Sequence, residues 1–232
     1  MIDPQAARFI PASDQSLLVS FDNEITPAAH RRVRQLLRLL ESEHLPGVCN
    51  LHPAYCSVLI RFDALKTDHD ELAKVLVPLL RHLDDSPPPE PRTVEIPVCY
   101  GGEFGVDLAE VAASHGLTTE QVAMLHSSAT YTAAFLGFTP GFAYLQGLPA
   151  ALATPRLASP RRAVPTGSVG IAGRQTGVYP FPTAGGWRLI GRTPLPLFRP
   201  AENEMNLIAI GDRVRFLPIG ADEYIKLAEK CR

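Results

Sequence analysis

The chain has 232 residues, of which 46% are apolar and 20% charged, and its net charge is −2. That length allows one large or two modest domains, each able to bury a core that offsets its chain entropy. The balance excludes a disordered tail and a basic nucleic-acid binder, and no apolar run reaches the length of a membrane span.

The opening MIDPQAARFIPASDQ has neither the basic n-region nor the apolar h-region of a secretory signal, so a cytoplasmic location is expected. Residues 16–21, SLLVSF, and 57–62, SVLIRF, have the β-branched, apolar character of strands. Between them Thr26 serves as an N-cap with Pro27 at N1, and Val33, Leu36, Leu37 and Leu40 share one helical face. A second helix is capped by Thr67 or Asp68, with Glu71 at capping-box spacing from Asp68. Leu72, Val75, Leu76, Leu79 and Leu83 form its stripe, and Pro78 is expected to kink it. Strand, helix, strands and helix in that order predict an α+β sandwich of the ferredoxin-like type over 1–86.

The proline-rich DDSPPPEPR at 84–92 is too stiff and polar to join either neighbouring core, and it places the domain boundary. After the strand-like VEIPVCY at 94–100, Asp107 with Glu110 and Thr118 with Gln121 form two capping-box patterns, predicting short helices around 107–115 and 119–127. Helical signals stop from 131. Residues 137–200 hold ten of the 17 glycines and ten of the 22 prolines between short apolar runs, which predicts a mainly β barrel or sandwich in 87–232. Cys49, Cys56, Cys99 and Cys231 show no C-x-x-C and no paired spacing, so reduced thiols are expected and no metal site.

Charge is segregated along the chain. Residues 121–201 contain no acid, no lysine and seven arginines (Arg156, Arg161, Arg162, Arg174, Arg188, Arg192 and Arg199), leaving 15 basic against 24 acidic residues elsewhere. Arginine's planar fork suits carboxylates and phosphates, so this stretch points to anion contacts or an acidic protein partner, the structural alternative being salt bridges with the acidic N-terminal domain. A carboxylate base must then come from outside the stretch, for example Glu95, Glu103, Asp107 or Glu120, or from another chain. All seven histidines lie at or before His126, the nearest imidazole to the arginine-rich part.

Within GSVGIAGRQTG, residues 167–177, the glycines fit neither a Walker loop nor G-x-G-x-x-G. Their spacing suits bending strands or a close backbone approach, and Arg161, Arg162, Arg174, Ser168, Gln175 and Thr176 would add anion-binding groups. The residues leave both roles open.

FLGFTPGFAYLQGLP at 135–149, VPTGSVGIAGRQTGVYPF at 164–181 and GGWRLIGRTPLPLF at 185–198 form long ordered blocks. With IPVCYGGEFG at 96–105 and LHSSATY at 125–131, they resemble the B-subunit (PxpB) family of the prokaryotic 5-oxoprolinase, also described as allophanate hydrolase subunit 1 and KipI-like. The resemblance implies an α+β N-terminal domain and a cyclophilin-like barrel. It also implies a complex with the A and C subunits of that enzyme, a small anionic substrate, and ATP-dependent opening of 5-oxo-L-proline to L-glutamate. ATP with Mg2+ enters as a co-substrate of the complex, and no tightly bound cofactor is expected in this chain. An unstrained lactam resists water because amide resonance must be broken, and phosphorylating its carbonyl oxygen makes the ring carbon electrophilic.

On matching positions, His126, Arg161, Gln175 and Thr176 are the candidate catalytic residues. The candidate substrate-binding residues are Ser168, Gly170, Gly177, Tyr179, Arg162, Arg192, Phe142 and Tyr144, with Pro140, Gly141, Gly186 and Trp187 also in the motifs. For Phe142, Tyr144 and Trp187, core packing stands beside ligand stacking; for Gly141 and Gly186 a turn is the default. The chain departs from the family pattern at Leu157, Val106, Ala143 and Ala184; Leu157 stands where a second arginine often follows T-P-R, and loss of that arginine would weaken an anion contact. Two further readings accompany the resemblance: a KipI-like inhibitor of a sensor histidine kinase, and a urea- or allophanate-related amide hydrolysis subunit.

Overall fold

The computed structural model describes residues 7–81, 83, 90–201 and 205–231. The chain divides into two compact units, 1–90 and 91–232. The expected boundary between 86 and 87 falls within 84–89, outside the described residues.

In the first unit, β1 (Arg8–Ser13), β2 (Ser16–Ser20), β3 (Val48–Pro53) and β4 (Ser57–Phe62) form an antiparallel sheet of order β1-β2-β4-β3, accompanied by α1 (Pro27–Glu43) and α2 (His69–Arg81). Helix α1 starts where its cap pattern predicts, with Thr26 Oγ1 accepting from the Ala29 N–H at 3.1 Å. Its buried face includes Val33, Leu36, Leu37 and Leu40, and of these Val33, Leu36 and Leu40 share one core with Leu17, Val19, Val58 and Ile60 of the sheet. Asp68 caps α2 by accepting from the Glu71 N–H at 2.8 Å. The predicted stripe of α2 is narrower than its sequence pattern: Leu72, Leu76 and Leu83 are buried, whereas Val75 is 45% exposed. The described order β-β-α-β-β-α departs from the β-α-β-β-α-β of a ferredoxin-like sandwich, because β1 precedes β2 and takes the sheet edge beside it.

The second unit is a closed seven-stranded barrel of order β10-β7-β6-β13-β5-β12-β9. Its strands are β5 (Thr93–Tyr100), β6 (Thr130–Leu136), β7 (Ala143–Gln146), β9 (Ser168–Ala172), β10 (Gln175–Val178), β12 (Arg188–Arg192) and β13 (Arg213–Pro218). The β5–β13 pair is parallel and the other pairs are antiparallel. Alternating residues fill the interior, among them Val94, Ile96, Val98, Leu145, Val169, Ile171, Ile190, Val214 and Phe216. Val111 of α3 (Leu108–Ser114) and Val122 of α4 (Thr119–Ser128) join the same core. A two-stranded sheet, β8 (Arg161–Val164) with β11 (Thr183–Gly185), completes the strands.

Two sequence expectations change here. Thr118 and Gln121 form the predicted capping box, but Asp107 makes no side-chain cap to α3 because its carboxylate is engaged elsewhere. Contrary to the expectation that helical signals stop from 131, a further helix, α5 (Ala221–Lys230), follows β13. Its signals are Asp222 and Glu223 in the first turn and Lys230 in the last.

Candidate functional site

Five aromatic rings converge on the outside of the barrel. Phe142, Tyr179 and Trp187 form a satellite cluster with Val164, Ala172 and Leu189, against which Tyr144 packs. Phe142 meets Trp187 edge-on at 5.5 Å between centroids and Tyr179 at 5.4 Å. Phe138, 57% exposed and in the left-handed region at φ 70°, stands edge-on to Phe142 at 5.5 Å. An aromatic residue holding positive φ is an outlier of the kind that clusters at ligand sites. Together these rings line a groove of about 260 Å³ whose rim carries Arg156, Pro160, Ala184, Gly185 and Gly186. The lining thus holds one guanidinium, two phenols and flat apolar walls, and no carboxylate or imidazole.

The glycine-rich segment makes room for this wall. β9 and β10 are a hairpin turning at Gly173, which has φ 55°. A Cβ on Gly177 would lie 2.9 Å from the Ala143 carbonyl oxygen, 3.1 Å from Phe142 Cζ and 3.3 Å from Trp187 Cζ3, and one on Gly170 would lie 3.1 Å from Trp187 Cβ. Gly177→Ala is therefore expected to destabilise the barrel by about 1–3 kcal/mol through overpacking. Urea denaturation followed by the emission of Trp187, the only tryptophan, measures it, and unchanged stability would mean that the wall yields. Burial pushes the Tyr179 phenol up, opposed by its hydrogen bond with the Trp187 backbone and by the charges of Arg156 and Arg161.

The predicted catalytic residues lie elsewhere. His126 is fully buried, with its ring stacked on Phe216 at 4.6 Å between centroids. Nδ1 is 2.7 Å from the Tyr100 hydroxyl and Nε2 is 2.9 Å from Thr176 Oγ1, which itself donates to the Gly170 carbonyl at 2.9 Å. A hydroxyl has one proton, so Nε2–H donates to Thr176, and Nδ1 accepts from Tyr100. Burial lowers the imidazole pKa to about 3, which keeps the ring neutral. Both nitrogens are occupied and the ring lines none of the described cavities, so His126 and Thr176 tie α4 to β10 through the core.

Arg161 is held by Asp107. Its Nη2 donates to Asp107 Oδ1 at 2.6 Å and its Nη1 to the Trp187 carbonyl at 3.4 Å, while Asp107 Oδ2 accepts from the Leu189 N–H at 2.7 Å. The Asp107 N–H in turn donates to the Leu189 carbonyl at 2.9 Å. The carboxylate considered as a base is thus consumed as a brace, fixing β12 and the backbone of the groove's tryptophan. Arg188 pairs with Glu110 at 2.6 Å, and Arg192 donates to the Glu103 carbonyl at 3.3 Å beside the Phe104 ring. The acidic partners that the sequence placed in the N-terminal domain are, for Arg161 and Arg188, residues at the start of α3.

Of the predicted substrate-binding set, Phe142, Tyr144 and Tyr179 come together in the groove with Gly186 and Trp187, and Gly170 and Gly177 stand behind its wall. Ser168 is fully buried with its Oγ unpartnered, Arg192 sits with Glu103, Arg162 is exposed on β8, and Gln175 is half-buried at the β9–β10 turn. None of these four lines the groove. Arg156, which the sequence singled out only as one of seven arginines, does. A larger cavity of about 460 Å³ around Tyr100, Val106, Leu108 and Glu120 holds one of the candidate carboxylate bases, Glu120, and none of the catalytic or substrate-binding candidates taken from the motifs. Among the described residues no group of three or more histidine, cysteine or carboxylate side chains is arranged to hold a metal ion.

This chain belongs to the carboxyltransferase domain family, subdomains C and D, whose pattern matches residues 7–208. Within that class it is a member of the 5-oxoprolinase B-subunit family. It is 39% identical over 221 residues to the 5-oxoprolinase B subunit of Bacillus subtilis, covering 91% of this chain and 92% of that one. It is 44% identical to the 5-oxoprolinase B subunit of Escherichia coli O157:H7, covering 92% of this chain and 97% of that one. Among solved structures, TTHA0988 superposes with a TM-score of 0.79 at 35% identity over 90% of this chain, which spans only 41% of TTHA0988.

Proposed function

We propose that the chain is the B subunit of an ATP-dependent 5-oxoprolinase that opens 5-oxo-L-proline to L-glutamate in the cytoplasm, with the A and C subunits as partners. The observation that carries this reading is the end-to-end match to two chains of that name, nearly complete in both directions. We read residues 87–232 as a cyclophilin-like barrel domain. Residues 1–86 are then a variant ferredoxin-like sandwich in which β1 fills the edge a last strand would take. The aromatic groove is the substrate site on this subunit: rings bound a small cyclic molecule, Arg156 supplies a cation, and the Tyr179 phenol remains protonated and able to donate.

The groove offers no base of its own to prepare water, and the glycine-rich segment packs aromatics. ATP with Mg2+ as co-substrate, and the group that activates water, are accordingly assigned to the assembled complex. The chain's own contribution is to bind and orient the lactam. A KipI-like inhibitor would tolerate loss of groove residues, whereas this subunit would not; the urea- or allophanate-related reading is less favoured, because the urea amidolyase of Saccharomyces cerevisiae matches at 25% identity against 39% and 44% for the 5-oxoprolinase B subunits. The deciding experiment is glutamate formation from 5-oxo-L-proline and Mg-ATP by the purified A and C subunits, with this chain added as the B subunit or omitted. Dependence on this chain is expected; equal activity without it would overturn the assignment.

A further inference from the structure

The arginines of the acid-free stretch divide by what holds them. Arg161 is held by Asp107, Arg188 by Glu110, and Arg192 by the Glu103 carbonyl and the Phe104 ring; Arg199 has a partner of its own. Among the described residues Arg156, Arg162 and Arg174 form no ion pair, and of these Arg156 lines a described cavity. That cavity is the aromatic groove. At about 260 Å³ it falls just below the roughly 300–1,000 Å³ of drug-sized sites, so its occupant is small. Its walls are flat rings suited to the faces of a cyclic ligand, and an exposed guanidinium at the rim presents the planar fork that pairs bidentately with a carboxylate. The Phe138 ring, exposed and fixed at positive φ, closes the same space from the loop side.

We propose that Arg156 is the specificity-determining residue of this groove, taking the carboxylate of a small cyclic acid whose ring lies among Phe138, Tyr144, Tyr179 and Trp187. This rests on the reading of the groove as a substrate site. It assigns the selection of an acidic lactam over a neutral one to a single side chain. Arg161, the arginine that the sequence motif favoured, is instead committed to Asp107.

Trp187, the only tryptophan, lines the groove and reports occupancy directly. The test titrates the full chain, alone and with the A and C subunits, with 5-oxo-L-proline and with 2-pyrrolidinone, the same ring without its carboxylate, following Trp187 emission. Wild type is expected to bind the acid at least tenfold more tightly than the neutral lactam. Arg156→Ala should lose that preference by weakening acid binding tenfold or more and leaving the neutral lactam unchanged, as befits a charge-assisted hydrogen bond. Arg156→Lys, which keeps the charge but not the fork, should fall between. Equal binding of acid and neutral lactam to wild type, unchanged acid binding by Arg156→Ala, or no saturable change with the acid in any wild-type preparation overturns the proposal. A complex that makes no glutamate, while the titration shows the expected preference, refutes the enzyme assignment and leaves the role of Arg156 standing.

Discussion

Replacing Asp107 by alanine is expected to destabilise the barrel unit by about 3 kcal/mol, the low end of what breaking a buried ion pair costs. Two losses combine. The Leu189 N–H, buried in β12, loses its acceptor at 2.7 Å, and Arg161 loses the partner at 2.6 Å that neutralises it. The low end applies because the Arg161 side chain keeps 28% of its exposure, so its stranded charge retains some water, whereas the carboxylate side keeps only 7%. Asp107→Asn retains an acceptor for one of the two donors and should cost about 1.5–2 kcal/mol, the lower part of what one hydrogen bond to a charged group is worth. Urea unfolding read by Trp187 emission follows this unit directly. If both variants unfold at the wild-type midpoint, water replaces the carboxylate at both donors and the brace is not structural. Because Arg161 also donates to the Trp187 carbonyl, the alanine variant should loosen the groove wall and weaken ligand binding without any change to a group that touches ligand.

The sequence made some of this legible and hid the rest for physical reasons. Helix α1 was readable because Thr26, Pro27 and the leucine stripe are local signals that tertiary contacts had no cause to override. Strand β1 was not: five of its six residues are exposed and Pro11 sits in it beside a register shift, so it lacks the alternation that marks a half-buried strand. The Asp107 to Glu110 spacing is the same whether the aspartate caps its helix or reaches Arg161, 54 positions away, and nothing local distinguishes the two. The charge map identified an arginine-rich, acid-free stretch but could not separate arginines held by α3 from one left at a cavity rim. The aromatic members Phe142, Tyr144 and Tyr179 were legible through motif resemblance, and packing does not exclude bordering a cavity, since the same cluster builds the wall and borders the space. His126 was legible as a candidate because it is the last imidazole in the chain; its complete burial was not, because α4 buries only Val122 and His126 and offers no clear apolar face.

That burial makes a pH measurement decisive for His126. Its folded pKa is lowered to about 3 by burial, against about 6.5 in an unfolded chain. Between those values the unfolded state binds a proton that the folded state does not. The neutral histidine's contribution is therefore fully present above about pH 6.5 and is lost as pH falls toward 3. The slope approaches about 1.4 kcal/mol per pH unit, or about 2–3 kcal/mol between pH 6.5 and 4.5. The groups facing the ring reinforce this, since the Tyr100 and Tyr131 phenols, both raised by burial, stay protonated throughout and offer no compensating negative charge. His126→Gln removes the titration, the stack on Phe216 and at least one link of the Tyr100–His126–Thr176 chain. At pH 7.5 it should therefore be less stable than wild type by about 2 kcal/mol. As the pH is lowered, wild type loses stability faster, and the gap should close by about 2 kcal/mol at pH 4.5. A gap that stays constant with pH would mean that the folded protein protonates His126 near its ordinary pKa. The ring would then have to reach solvent or substrate, as the catalytic reading of the sequence expected, and its place in the core would be lost.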